Sequence, residues 1–186
     1  MSIKFAMLGF LSWKPFSGYD LKKMLSDSLA FYWTGNNAQI YRTLLQLERD
    51  GLVTREVQVQ EKYPPRKVYT ITAQGTAALR EWTASAPELP EVRSTFLVQL
   101  AWADSLAADE LDALLARYEH EVEMQLLMRQ EMRRRGTLSP ARTPRETFLW
   151  QMIEENGIGS FECELAWVRR VRREMPVGGA VRRRTK

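Results

Sequence analysis

Hydrophobic positions recur at three- and four-residue steps from the start of the chain. Ile3, Met7 and Phe10 interleave with Phe5, Leu8 and Leu11, which predicts a broadly apolar helix over Ile3 to Ser12 that stops at Lys14-Pro15. Ser17 opens a second helix. With Asp20 three residues on it forms a capping box, and Leu21, Leu25 and Leu29, with Met24 alongside, supply the buried stripe. Tyr32 to Asn36 reads as a turn, and a third helix follows from Asn37 to Asp50. Placed at 100° per residue, Ile40, Leu44 and Leu47 centre its apolar face with Tyr41 and Leu45 on the flank. Gln39, Arg42, Thr43, Gln46 and Arg49 take the opposite arc, and Gly51 is placed to end the helix.

The period then changes to two. Leu52 to Gln60 alternates, with Val53, Val57 and Val59 on one side, as a strand does. Glu61 to Arg66 contains Pro64-Pro65 and reads as a turn, because consecutive prolines cannot sit in a central ladder. Lys67 to Ile71 is the returning strand, and Thr72 caps a fourth helix through Ala78, Leu79 and Trp82. Three helices, a strand, a turn, a strand and a helix are the order of a winged helix-turn-helix. Pro87 and Pro90 mark the boundary after it.

Beyond that boundary the pattern is helical. Leu111, Leu114, Leu115, Tyr118, Val122, Leu126 and Met132 predict one long helix over about 107–135, closed by Arg133-Arg134-Arg135-Gly136. Trp150, Ile153, Gly157, Phe161, Leu165 and Val168 predict a second over about 143–175. Gly157 and Gly159 weaken it, and serve either a close helix approach or a break at Asn156-Gly157. The expected fold is therefore mainly α with a small β-hairpin. It comprises a winged helix-turn-helix over 1–86, a helical dimerisation domain over 87–175 and a basic, flexible tail over 176–186.

Composition removes several function classes. The chain has 186 residues, 45% hydrophobic and 27% charged, close to soluble globular averages. The apolar run Phe5–Trp13 is far short of the ~20 residues a spanning helix requires. It is preceded only by Lys4, lacks an Ala-x-Ala exit and runs into Lys14-Pro15, so it does not read as a secretory signal. One cysteine, Cys163, and one histidine, His120, supply neither an internal disulfide nor a zinc set, so no metal or cofactor is expected. The reading is of a cytoplasmic protein with no membrane partner.

Charge is unevenly spread. Residues 1–86 carry 11 Lys and Arg against 7 Asp and Glu, residues 87–168 carry 8 against 15, and residues 169–186 carry 8 against 1. A basic working module suits an anionic partner. A major groove about 12 Å wide admits one helix, whose outward side chains reach base edges. Arg42 suits a bidentate contact with guanine, and Gln39 or Gln46 the same with adenine. Thr43 and Tyr41 suit phosphate oxygens, as do the free amides near Ser17, Gly18 and Tyr19 at the start of the second helix. Lys62, Tyr63, Arg66 and Lys67 would lie along the neighbouring backbone or minor groove. The alternatives are that this polar face is ordinary solvated surface, or that the acidic middle and long amphipathic helices make the chain a winged-helix protein-interaction adaptor. Enzymatic chemistry is not expected, since His120 sits among Glu119, Glu121 and Glu123 with no accompanying nucleophile.

Residues 1–86 resemble the N-terminal domain of the PadR family of transcriptional regulators. Leu8-Gly9-Phe10-Leu11, Ser17-Gly18-Tyr19-Asp20-Leu21, Gln39-Ile40-Tyr41-Arg42-Thr43-Leu44 and Leu47-Glu48 to Gly51-Leu52-Val53 carry the likeness, with the wing Pro65 to Thr72 and Gly75. Residues 92–175 are similar in length and helical character to the C-terminal region of the long PadR subclass. Tyr63-Pro64 departs from the Gly-Arg that family wings often carry. The resemblance implies a homodimeric repressor bound to double-stranded DNA at a nearby promoter, sometimes released by a small ligand. By position it assigns Gln39, Tyr41 and Arg42, on the helix opened by Asn37, to recognition, Arg66 and Lys67 to the wing, and Ser17 and Tyr19 to the supporting helix.

Two long amphipathic helices leave apolar surface that exchange between two chains would cover, and two-fold symmetry then matches a palindromic operator. Folding back on the first domain as a monomer is the alternative. Phe96, Trp102, Trp150 and Phe161, with Phe148 and Trp167, are candidates for an effector pocket between dimer halves, or for plain core. Cys163 on a helix reads as inert. Arg182-Arg183-Arg184 adds nonspecific phosphate attraction or is a solubilising end.

Overall fold

A computed structural model describes residues 3–26, 37–59, 65–89, 94–136 and 140–176. The predicted turn 32–36, Lys62 with Tyr63-Pro64, and the tail from residue 177 lie outside the described residues. The chain divides into two compact units, Met1–Glu88 with Thr137–Trp150, and Leu89–Gly136 with Gln151–Lys186.

The first unit contains α1 (Ile3–Leu11), β1 (Phe16–Ser17), α2 (Gly18–Ser26), α3 (Asn37–Arg49), β2 (Val53–Gln58), β3 (Arg66–Ile71) and α4 (Ala73–Ala84). Met7, Leu8 and Leu11 from α1, Leu21 and Leu25 from α2, and Ile40, Leu44 and Leu47 from α3 are fully buried and form one core with Leu52, Val53 and Tyr69. The described parts of the three apolar stripes read from the sequence therefore meet, and Leu29 of the second lies outside the described residues. The sheet differs from the expected hairpin, because Phe16 and Ser17 pair with Tyr69 and Val68 and make a third strand in the antiparallel order β1-β3-β2. Two residues are too few for any alternation to announce them. In β2 only Val53 is buried, and Val57 and Val59 are exposed. The wing runs beyond the three-helix core, so the expected inward face has nothing beneath it after its first residue.

Two turns hold this unit in register. Gly51 has φ of +70°, its amide donates to Glu48 O at 3.1 Å, and Leu52 N–H donates to Leu47 O at 2.9 Å. That is a Schellman stop, which requires a left-handed residue after the helix. Thr72 Oγ1 then accepts from the Gly75 amide at 3.0 Å and donates to Gly51 O at 2.8 Å, so one hydroxyl caps α4 and ties it to the end of α3. Thr72→Ala is expected to cost about 1–2 kcal/mol of stability, read as a shift in the urea midpoint; an unchanged midpoint would remove the cap from this account.

The second unit contains α5 (Thr95–Ala101), a 3-10 turn (Ala103–Ser105), α6 (Ala108–Arg135) and most of α7 (Pro144–Glu174), whose first turns, to Trp150, belong to the first unit. Leu115, Val122 and Leu126 of α6 pack with Ile158, Leu165 and Val168 of α7 and with Phe96 of α5. Ion pairs fix the antiparallel register. Arg169 reaches Glu119 and Glu123 at 2.8 and 2.9 Å, and Arg172 reaches Glu119 and Asp112 at 2.6 and 3.0 Å. The hydrogen bonds from Arg169 and Arg172 hold the Glu119 carboxyl below its ordinary pKa. α7 runs unbroken through Gly157 and Gly159, and a Cβ at either would meet no atom within 4 Å. Neither a helix break nor a close approach within the described residues explains these glycines.

Candidate nucleic-acid interface

α3 presents a face built by its own core. With Ile40, Leu44 and Leu47 held inward, Ala38, Tyr41, Arg42, Leu45, Gln46 and Arg49 are exposed, while Gln39 and Thr43 are half-buried. The outward face is therefore rotated from the expected arc, centring on Ala38, Leu45 and Arg49 with Gln39 and Thr43 at its border. Ala38, Leu45 and Arg49 were not among the expected contacts. Arg49 lies on the expected outward arc, whereas Leu45 sits on the flank of the apolar stripe, 100° round the wheel from Leu44. Arg42 Nε donates to Ala38 O at 3.3 Å, and Gln46 Nε2 to Asp50 Oδ1 at 2.6 Å, so both side chains lie along the helix and remain exposed. Asn37 opens α3, but its side chain lies outside the described residues.

α2 stands against this helix. A Cβ on Gly18 would lie 2.7 Å from Tyr41 Cε1, so a larger residue there would turn the Tyr41 ring aside. The capping box is formed. Asp20 N–H donates to Ser17 Oγ at 3.2 Å, while Ser17 N–H and Oγ–H donate to Asp20 Oδ2 at 3.1 and 2.8 Å. Ser17 is placed differently from the expected phosphate contact. It is buried and its hydroxyl is engaged in the cap, so its part is to shape the helix start. Tyr19, one turn outward, is 68% exposed.

Both wing arginines are held by carboxylates of the helix-turn-helix. Arg55 Nε lies 3.1 Å from Glu48 Oε1 of α3, and Arg66 pairs with Asp20 of α2. Burial pushes the Asp20 carboxyl up, but the Ser17 hydroxyl and amide and Arg66 outweigh it and hold it below its ordinary value. Tyr69, beneath Arg55, is buried and its phenol is pushed up chiefly by that burial. Lys67 is exposed. Tyr19, Arg42, Gln46 and Lys67 thus have solvent-facing side chains on α2, α3 and the wing of one unit.

Two family models match this chain, a PadR-like transcriptional regulator model over residues 7–81 and a virulence activator alpha C-terminal model over residues 92–175. Residues 7–81 thus form a PadR-like transcriptional regulator domain, followed by a virulence activator alpha C-terminal region. The PadR-like family is one of transcriptional regulators, not enzymes. The negative transcriptional regulator PadR of Bacillus subtilis is 29% identical over 113 residues, 60% of this chain and 62% of that protein. The probable transcriptional regulator Rv1176c of Mycobacterium tuberculosis is 36% identical over 84 residues, 45% of this chain and 44% of that protein. The chain thus spans about half the length of the curated relatives it matches. The crystal structure of Bacillus subtilis PadR in complex with operator DNA matches with a TM-score of 0.81, over 94% of this chain and 99% of that one, at 23% identity. The same protein in complex with p-coumaric acid matches with a TM-score of 0.73, over 92% and 96%, at 22% identity. At these identities the likeness establishes the PadR fold.

Of the aromatic residues considered for an effector, Phe96, Phe161 and Trp167 share one core. Phe96 is buried in the core of the second unit, and Trp102 is 77% exposed at an open groove beside Leu106, Leu114 and Arg117. Phe161 lies under the Arg129 guanidinium, 4.1 Å from ring centroid to carbon, and Trp150 belongs to the first unit. Among the described residues no helix is long and apolar enough to cross a membrane.

Proposed function

We propose that the chain is a sequence-specific DNA-binding repressor that works in the cytoplasm as a homodimer on a palindromic operator. The outward face of α3 carries this reading. It combines Arg42, Gln46 and Arg49 with the apolar Ala38 and Leu45 on one exposed arc, and Tyr19 and Lys67 are exposed on the same unit. Guanidinium and amide groups suit purine edges in the major groove, and small apolar groups suit the thymine methyl. The operator complex of the Bacillus subtilis relative supports the same use of the fold.

The dimer is supported by apolar side chains of the second unit that the chain itself leaves in water. These are Leu97 and Val98 on α5, Met124, Leu127 and Met128 on α6, and Met152 and Ile153 on α7. Burying such a patch against a second copy is favourable by roughly 25 cal/mol per Å², and two-fold symmetry would place two α3 helices about 34 Å apart or a multiple of it. The p-coumaric acid complex of the Bacillus relative supports release by a small aromatic ligand. Trp102, Trp150 and Phe161 are then better candidates than the buried Phe96.

Selection of bound fragments from the source genome, followed by salt titration of the recovered sites, tests the reading. Inverted repeats whose affinity falls steeply with salt are expected. Failure to retain any fragment at low salt, with a stable foreign protein captured instead, would favour an adaptor. Arg42→Ala is expected to relax discrimination at one base position by about 1–3 kcal/mol. Equally tight and equally selective binding would take Arg42 out of the reading role.

A further inference from the structure

Among the described residues an ion pair, Arg66 to Asp20, joins the wing to the supporting helix. The pair joins residues 46 positions apart, at the first turn of α2 and the start of β3. The capping box is complete without it, because Asp20 Oδ2 already accepts the Ser17 amide and hydroxyl at 3.1 and 2.8 Å. The wing is also placed without it. β3 is paired along six positions with β2, from Val53 against Ile71 to Gln58 against Arg66, and along two with β1. The guanidinium is therefore surplus to the architecture at this point. Its side chain is 44% exposed and that of Asp20 32%, so solvent and a phosphate can reach both. The other wing pair contrasts with it, since Arg55 joins Glu48 on α3 beside the buried Tyr69.

We infer that in the free protein Asp20 holds Arg66 in the place of a DNA phosphate, and that binding exchanges one anion for the other. The inference rests on the DNA-binding reading above and gives that site a built-in competitor. An exposed guanidinium–carboxylate pair favours association by only about twofold to fivefold, so a phosphate oxygen can displace the carboxylate without a large penalty. What remains after exchange is an unpaired Asp20 beside the backbone. Having lost its partner, it takes back a cation that binding would otherwise release. Asp20 thus lowers affinity for every sequence alike, which keeps the protein from being retained on nonspecific DNA. With its carboxyl held low, Asp20 stays charged throughout the neutral range, so the competition is always present.

Asp20→Gln tests this, because Ser-x-x-Gln keeps a capping box and removes only the charge. The probe is a 30-base-pair duplex of random sequence, titrated by fluorescence anisotropy between low and moderate salt. The variant is expected to bind about twofold to fivefold more tightly, and its plot of log affinity against log salt to steepen by up to about 0.9. The gain should vanish in the Asp20→Gln/Arg66→Gln double variant, which a general rise in positive charge would not explain. Binding that is unchanged or weaker in Asp20→Gln, at a melting temperature near the wild type, overturns the inference and leaves the pair as a structural tie. So does a gain that persists without Arg66. Should glutamine not be accommodated, Asp20→Ser makes the same charge change while Ser17 Oγ still accepts the position-20 amide. If the wild type binds neither the random duplex nor any genomic fragment, the DNA-binding reading itself fails. If it binds and the neutral variants gain nothing, only the exchange fails.

Discussion

Gly75→Ala is expected to cost the first unit about 3 kcal/mol or more, although alanine is the better helix former by about 1 kcal/mol. The reason is backbone on backbone. A Cβ at Gly75 would stand 2.1 Å from Leu52 O and 2.9 Å from Ile71 Cγ1. A side chain in the way could turn, but the Leu52 carbonyl cannot, because it accepts the Thr72 amide at 3.0 Å while Leu52 N–H is tied to Leu47 O at 2.9 Å. Relief requires the start of α4 to move away from the junction between α3 and β2. That movement would strain the Thr72 cap and the Gly51 turn together. In a unit of this size each kcal/mol is worth roughly 4–8 °C, so a fall of more than about 10 °C in the transition of the first unit is expected by differential scanning calorimetry, with DNA binding lost in parallel. Gly9→Ala is the control. It lies in α1 with no atom within 4 Å of a built Cβ, so there the helix preference should stand alone and stability should rise slightly. If both substitutions behave alike, contact at Gly75 is not what selects glycine.

That contrast shows what one chain of letters can carry. The core of the helix-turn-helix was legible because Ile40, Leu44 and Leu47 repeat at helical spacing and Gly51 and Thr72 are stop and start signals with a local mechanism. Ser17 with Asp20 was legible for the same reason, since both partners of the cap lie within one turn. The features that escaped are those made by distant partners. β1 exists only because Tyr69 and Val68 lie beside Phe16 and Ser17, and the Arg66–Asp20 pair depends on the wing folding back. Val57 and Val59 have the alternation of a half-buried strand but no layer to bury them. α5 is a two-turn helix whose apolar run, Phe96 to Ala101, has no period long enough to register. A helical pattern is equally silent about which core its first turns join, and residues 137–150 cluster with the winged unit while the rest of α7 does not. At the candidate site, the types of residue on α3 were readable. The rotation that brings Ala38 and Leu45 outward and draws Gln39 and Thr43 to the border was not, because it depends on how the helix seats in the core with its distant partners.

Phe96→Ala should be the most damaging truncation in the second unit, at about 3–5 kcal/mol. α5 is fastened chiefly by this ring, the buried residue of the helix, with the half-buried Leu100 beside it. It stacks on Tyr118 with centroids 3.5 Å apart and planes within 7°, and meets the edge of Trp167 at 6.2 Å and 83°. Tyr118 is itself immobilised, because its hydroxyl donates to Glu164 Oε1 at 2.7 Å, joining α6 to α7 beneath the ring. Burial, reinforced by that carboxylate, pushes the Tyr118 phenol up to about 12, so it remains a neutral donor at every working pH and the surface on which Phe96 rests does not change. Truncating Phe96 removes both aromatic contacts and leaves α5 with the half-buried Leu100 and the Ser94 cap, whose hydroxyl accepts the Leu97 amide at 3.3 Å. Leu97 and Val98, exposed on the same short helix, would then lose their fixed presentation. If these residues belong to the surface that pairs two chains, sedimentation should show a weaker dimer, and near-ultraviolet circular dichroism a loss of the Tyr118 and Trp167 signal, while the melting of the winged unit stays in place. Trp102→Ala, removing a larger but 77% exposed ring, should change stability by less than about 0.5 kcal/mol. Equal effects of the two truncations would mean that α5 is not held through Phe96. Loss of the Phe96 signal without loss of the dimer would separate the fastening of α5 from the pairing of the chains.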